Sequence, residues 1–130
     1  MKPQIEAFIW ISKRFVLDQS GNLTTSILSG NWIFDSFPQK VICLPYIRLR
    51  EMRPGDDKHL KFLLKKGILE EVFYEDRAFK LPENATPNMS IYSIISIPPL
   101  TFEEPTVVTA ELTYKGESIG RLPLFVRKSS

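Results

Sequence analysis

The sequence predicts an all-β protein, an antiparallel two-sheet β-sandwich of the immunoglobulin-like kind, built as a single domain over residues 1–130. Three observations carry that expectation. The last third of the chain has the period-two polarity of a β-hairpin. About eight short runs rich in β-branched and aromatic residues recur along the chain with turn signals between them. A chain of 130 residues is also long enough to bury one core without disulfides and does not require a second domain.

Taken from the start, residues 5–17 are dense in β-branched and aromatic side chains and run into Asp18-Gln19-Ser20-Gly21-Asn22, a cluster of turn formers. A hairpin is expected, with its return strand over residues 23–28. Gly30-Asn31 then interrupts the pattern before Trp32-Ile33-Phe34, which suggests a bend or bulge. Trp32, Phe34 and Phe37 are candidates to cover an end of the core. In residues 41–50, Val41, Cys43, Pro45, Ile47 and Leu49 share one parity and Tyr46, Arg48 and Arg50 the other. Proline lacks the donor a ladder needs, so an edge strand or a bulge at Pro45 is expected here.

Residues 57–66 admit two readings. Asp56 or Asp57 could cap a short helix with a stripe of Leu60, Leu63 and Leu64 and Gly67 as terminator. Equally, Leu60, Phe62 and Leu64 alternate with His59, Lys61 and Lys65 as in a strand that follows a turn at Pro54-Gly55. The strand is preferred, because a helix would leave Phe62 off its stripe. Residues 68–74 would be its partner strand. Residues 81–88 are a loop, and Met89, Ile91, Ser93, Ile95 and Ile97 then alternate with Ser90, Tyr92 and Ser96; Ile94 makes the second face partly apolar, so a central strand is expected. In the closing hairpin Val108, Ala110 and Leu112 oppose Thr109, Glu111 and Thr113, while Leu122, Leu124 and Val126 oppose Arg121. Glu111 and the threonines should form the wet face, with Gly116 supplying the positive φ of the turn.

Hydrophobic residues at 43% and charged ones at 25%, with a net charge of +2, describe an ordinary globular composition and exclude bulk attraction to nucleic acid. The single cysteine, Cys43, cannot form an internal disulfide and is expected to be a buried, unreactive side chain. The apolar run at residues 7–11 is too short for a signal core or a membrane span. A cytoplasmic protein with no membrane association is expected.

Ile5-Glu6-Ala7-Phe8, Ser20-Gly21-Asn22-Leu23, and Ile27-Leu28-Ser29-Gly30 with Trp32 resemble the opening of a family of small uncharacterised bacterial β-sandwich proteins, a domain of unknown function. The closing residues 97–105, then Leu112, Tyr114-Lys115-Gly116-Glu117 and Arg121-Leu122-Pro123-Leu124, are similar to that family's end. Thr106 and Val107 depart from its pattern after Pro105. The resemblance covers both ends of the chain, implies a β-sandwich, and implies no catalytic residue.

The inventory argues against an enzyme. His59 is the only histidine, a Cys43–His59 dyad would join a buried parity to an exposed one, and there is no glycine-rich phosphate loop or other cofactor pattern. Glu70-Glu71 with Glu75-Asp76, or Glu103-Glu104, lack the spacing of a known cation loop and read as solvated faces. One surface constellation is basic. If residues 41–50 and 58–65 paired through the Pro54-Gly55 turn, Tyr46, Arg48, Arg50, His59, Lys61 and Lys65 would share one face able to grip phosphate or stack on a base. The leading expectation is a non-enzymatic interaction module that binds another protein through a strand edge or loop end. The alternative is an anion or nucleic-acid binder using that basic face.

Overall fold

The computed structural model describes residues 5–17, 23–27, 31–42, 44–76, 81, 84 and 86–129. It is mostly β, and its strands are β1 (Glu6–Leu17), β2 (Leu23–Ile27), β3 (Asn31–Phe34), β4 (Gln39–Val41), β5 (Leu44–Arg50), β6 (Leu60–Lys66), β7 (Glu71–Asp76), β8 (Ile91–Ile94), β9 (Leu100–Phe102), β10 (Thr106–Tyr114) and β11 (Glu117–Lys128). They form a four-stranded sheet in the order β2-β1-β5-β8, a five-stranded sheet in the order β3-β11-β10-β6-β7, and a two-stranded ribbon of β4 and β9.

Both large sheets send side chains into one buried cluster. Ile47 and Leu49 of β5 meet Leu60, Phe62 and Leu64 of β6, Val108, Ala110 and Leu112 of β10, and Leu124 and Val126 of β11. The approach is close at Gly120, where an added Cβ would stand 3.3 Å from Ile9 Cδ1 and 3.5 Å from Ala7 Cβ. The alternation in each of these strands places the apolar parity in this cluster, because a strand's successive side chains point to opposite faces. Trp32 and Phe34 are buried, Trp32 edge-on to Phe102 and Phe34 edge-on to Phe37.

The first hairpin forms as expected, β1 with β2, its turn lying outside the described residues. So does the last. β10 and β11 pair antiparallel, and Lys115 (φ 50°) and Gly116 (φ 84°) take the left-handed backbone at both central positions of the connection. The 57–66 ambiguity resolves into one 3-10 turn, Asp56–His59, followed by strand β6 with a strict in-out burial pattern. Cys43 lies outside the described residues.

Five expectations are corrected. The larger sheet is mixed, because β3 runs parallel to β11, pairing Trp32 with Val126. Residues 41–50 are not one strand at an edge. They divide into β4 and β5, and β5 is interior, between β1 and β8. Pro45 is tolerated because it sits at the second position of β5, before the ladder with β8 begins at Tyr46, and its carbonyl accepts the Ile95 N–H at 2.9 Å. Conversely the 89–97 run is not central: β8 is a short edge strand, and Ile95 and Ile97 are buried from the extended segment beyond it. The strand placed at 68–74 begins only at Glu71, leaving Ile68 and Leu69 in the turn that precedes it. The last correction concerns β10, whose polar parity is buried too, with Thr109, Glu111 and Thr113 between 5% and 7% exposed. β10 is flanked by β6 and β11, and Lys65 and Arg121 reach from them to Glu111 on its outer face.

Leu112 and Leu124 are 0% and 1% exposed on the inward parity of the closing hairpin. Truncating either to alanine is expected to lower unfolding free energy by about 2–5 kcal/mol, the range for a buried leucine whose cavity only partly collapses. Urea denaturation of Leu112→Ala and Leu124→Ala measures this, and losses below about 1 kcal/mol at both would contradict the parity.

Candidate functional site

The six basic and aromatic residues singled out in the sequence do not share a face. The pairing that would have joined them fails because β5 and β6 belong to different sheets. With Ile47 and Leu49 turned into the common core, Tyr46, Arg48 and Arg50 lie on the outer face of the four-stranded sheet. With Leu60, Phe62 and Leu64 turned into the same core from the other side, Lys61 and Lys65 lie on the outer face of the five-stranded sheet. The connection between β5 and β6, which contains Pro54-Gly55, is a crossover between sheets rather than a hairpin.

On the first face, Arg50 stands 3.9 Å from Glu6, and an Arg48 guanidinium nitrogen donates to Ser90 Oγ at 3.5 Å. On the second, the lysines are engaged unequally. Lys65 Nζ donates to Glu111 Oε1 at 2.8 Å, and Arg121 donates to the other carboxylate oxygen at 3.0 Å while its second nitrogen bonds Glu70. Burial alone would raise the Glu111 pKa. The hydrogen bonds from Lys65 and Ser118, with the charges of Lys65 and Arg121, outweigh it and hold the carboxyl below its ordinary value. Lys65 therefore belongs to the support of β10. Lys61 pairs with Glu75 at 3.2 Å, both about two-fifths exposed, a contact of small energy.

His59 closes the 3-10 turn at a different corner, where the β10–β11 turn comes alongside and the Lys115 N–H donates to the His59 carbonyl at 3.0 Å. Its ring stands edge-on to Tyr114 at 5.6 Å, and the Tyr114 hydroxyl donates to Asp56 Oδ1 at 2.9 Å. That bond to Asp56, with burial, raises the Tyr114 pKa. The other Asp56 oxygen accepts the Arg53 N–H at 2.8 Å. Lys58, His59, Lys61, Lys115 and Gly116 line a cavity of about 290 Å³ at this corner. Lys58 and Lys115 enter the site through the crossover and the turn, positions that a strand-by-strand reading of charge does not connect.

Three of the acidic groups considered for a cation are otherwise occupied. Glu70 binds Arg121, Glu75 binds Lys61, and Asp76 accepts the Tyr74 hydroxyl at 3.0 Å; burial, with that bond and the Asp76 charge, pushes the Tyr74 pKa up to about 12. Among the described residues no three His, Cys, Asp or Glu side chains gather as a metal site.

The most exposed apolar surface is at the opposite end of β6. Gly67 (φ 79°) and Glu70 (φ 52°) turn the chain, and between them Ile68 is 97% exposed and Leu69 88%. β7, which follows, is an edge strand with Val72 and Phe73 also exposed. The turn is held to the sheet by the Gly67 N–H donating to the Val107 carbonyl at 2.9 Å. These side chains escaped the sequence reading because residues 68–74 look like a continuous strand. Gly67, placed just ahead of Ile68 and Leu69, was the available signal that the pair belongs to a turn.

No protein-family model, curated protein or solved structure matches this chain.

Removing the Glu111 carboxylate leaves the Lys65 side chain, only 18% exposed, without its partner. Glu111→Ala is expected to cost about 1–3 kcal/mol, and Glu111→Gln less, since an amide still accepts one hydrogen bond. The folded carboxyl has the lower pKa, so its contribution is complete above the ordinary glutamate value. It is lost as the pH falls through the folded value. Urea titrations from neutral pH into the acid range should show this limb in the unaltered protein and a shallower one in Glu111→Gln; equal slopes would contradict it.

Proposed function

We propose that this chain is a non-enzymatic protein-interaction module, an immunoglobulin-like sandwich that presents the β6–β7 turn to an apolar cleft on a partner protein. The observation that carries this reading is the almost complete exposure of Ile68 and Leu69, side by side in a turn fixed to the sheet. Burying one such side chain is worth about 1.5–3 kcal/mol, so together they can supply the central contact of an interface. Val72 and Phe73 extend the apolar surface along the edge of β7, which no second strand pairs among the described residues and where a partner's backbone can add hydrogen bonds.

Charge favours a protein as the occupant. Glu70 is already paired with Arg121, but Glu71 beside it is exposed, and Glu103 and Glu104, also exposed, come just before β10 in sequence. An anionic bilayer would repel these carboxylates, whereas a cleft with a basic rim would pair with them. The partner expected is therefore a protein with an apolar cleft bordered by lysine or arginine.

The double variant Ile68→Ser/Leu69→Ser tests this. A surface turn carries little folding energy, so its unfolding midpoint should match that of the unaltered protein. A partner isolated on the unaltered protein and then purified should bind the variant at least about 30-fold more weakly, the equivalent of about 2 kcal/mol. Undiminished binding by the variant, or co-sedimentation of the unaltered protein with anionic lipid vesicles, would overturn the proposal.

A further inference from the structure

The cavity at the His59 corner lies at the other end of β6 from the Ile68–Leu69 turn, and the interaction reading makes no use of it. Its wall is cationic. Lys58 and Lys115 make no ion pair among the described residues, Lys61 shares its charge with one carboxylate, and His59 adds a ring nitrogen able to donate or accept. Two acids share the 3-10 turn, and neither lines the cavity: the Asp56 oxygens accept from the Tyr114 hydroxyl and the Arg53 N–H, and Asp57 precedes Lys58 in the chain.

The corner is also braced. Asp56 holds Tyr114, Tyr114 supports the His59 ring edge-on and lies beneath Lys115 Nζ at 5.5 Å, and the Lys115 N–H is tied to the His59 carbonyl. The cationic turn and the cationic strand end are thus held together by contacts that do not depend on a ligand. Several like charges kept at one cavity repel one another, and a bound anion offsets that cost.

We propose that this cavity binds the phosphate group of a small phosphomonoester. Its volume of about 290 Å³ suits one phosphate with the start of the group that carries it. Three ammonium groups supply point charges of the kind that bind phosphate without a glycine-rich loop. A nucleic-acid strand fits less well, because a phosphodiester backbone needs a continued basic track. Here the track is broken: Lys65 is held by Glu111, and Arg48 and Arg50 lie on the other sheet.

The test is an amide chemical-shift titration at low salt with inorganic phosphate, adenosine monophosphate and a short single-stranded DNA. Saturable shifts are expected at Lys58, His59, Lys61, Lys115 and Gly116 with both small ligands, with affinity that falls as salt rises. Lys58→Gln/Lys115→Asn should weaken binding at least about ten-fold, asparagine being chosen because it accepts the left-handed backbone of residue 115. Arg48→Gln/Arg50→Gln should leave it unchanged. No saturation by about 10 mM of either small ligand would overturn the proposal. So would DNA binding that is tighter per phosphate and is lost in the arginine variant, or small-ligand binding that survives in the lysine variant. The Ile68→Ser/Leu69→Ser protein should bind phosphate normally, so this proposal and the interaction reading fail separately.

Discussion

A glutamate 5% exposed in the middle of a sheet must be neutralised where it stands, because an isolated carboxylate in a poorly hydrated site loses far more solvation than it regains. Glu111 meets this demand with two cations from the strands on either side, Lys65 of β6 and Arg121 of β11, one to each oxygen. Arg121 in turn holds Glu70 at the base of the β6–β7 turn. The three central strands of the larger sheet are thereby clasped on their outer face as well as by their ladders. Thr109 and Thr113 beside the carboxylate are buried as well, leaving β10 buried on both sides.

This arrangement decides which charged residues are available for anything else. Lys65 and Arg121 are spent on β10, and Lys61 is shared with Glu75. Lys58 and Lys115 come together with Lys61 where the crossover from β5 meets the β10–β11 turn. At the other end of β6, the turn that Arg121 steadies through Glu70 exposes two large aliphatic side chains that no element of the chain covers among the described residues. One strand thus separates an apolar tip from a cationic cavity, and the ion cluster between them fixes both ends on the same frame.

Much of this was legible locally. The parities of β5, β6, β10 and β11 are those their alternation predicts, since side-chain direction in a strand depends only on position along it. The hairpin turn at Lys115-Gly116 follows from glycine's tolerance of positive φ. The failures share a different origin. Pro45 suggested an edge, yet the sheet accommodates it by starting the β8 ladder one residue later; Ile94 suggested a central strand, yet among the described residues β8 has no neighbour on its outer side. Glu111 looked like a solvent-facing residue because its polarity was visible and its two cationic neighbours, 46 and 10 residues away, were not.

The sequence by itself determined the class of secondary structure, the apolar face that β5, β6, β10 and β11 turn inward, and the residue types available for binding, because these depend on propensity and on a period of two residues. Beyond the two hairpins and the β6–β7 pair, only the tertiary structure decided which strands are neighbours. The chain crosses between sheets at Pro54-Gly55 instead of folding back, a choice governed by the packing of the whole core rather than by the turn residues. That single crossover sends Arg48 and Arg50 to one outer surface and Lys61 and Lys65 to another, and brings Lys58 and His59 beside Lys115.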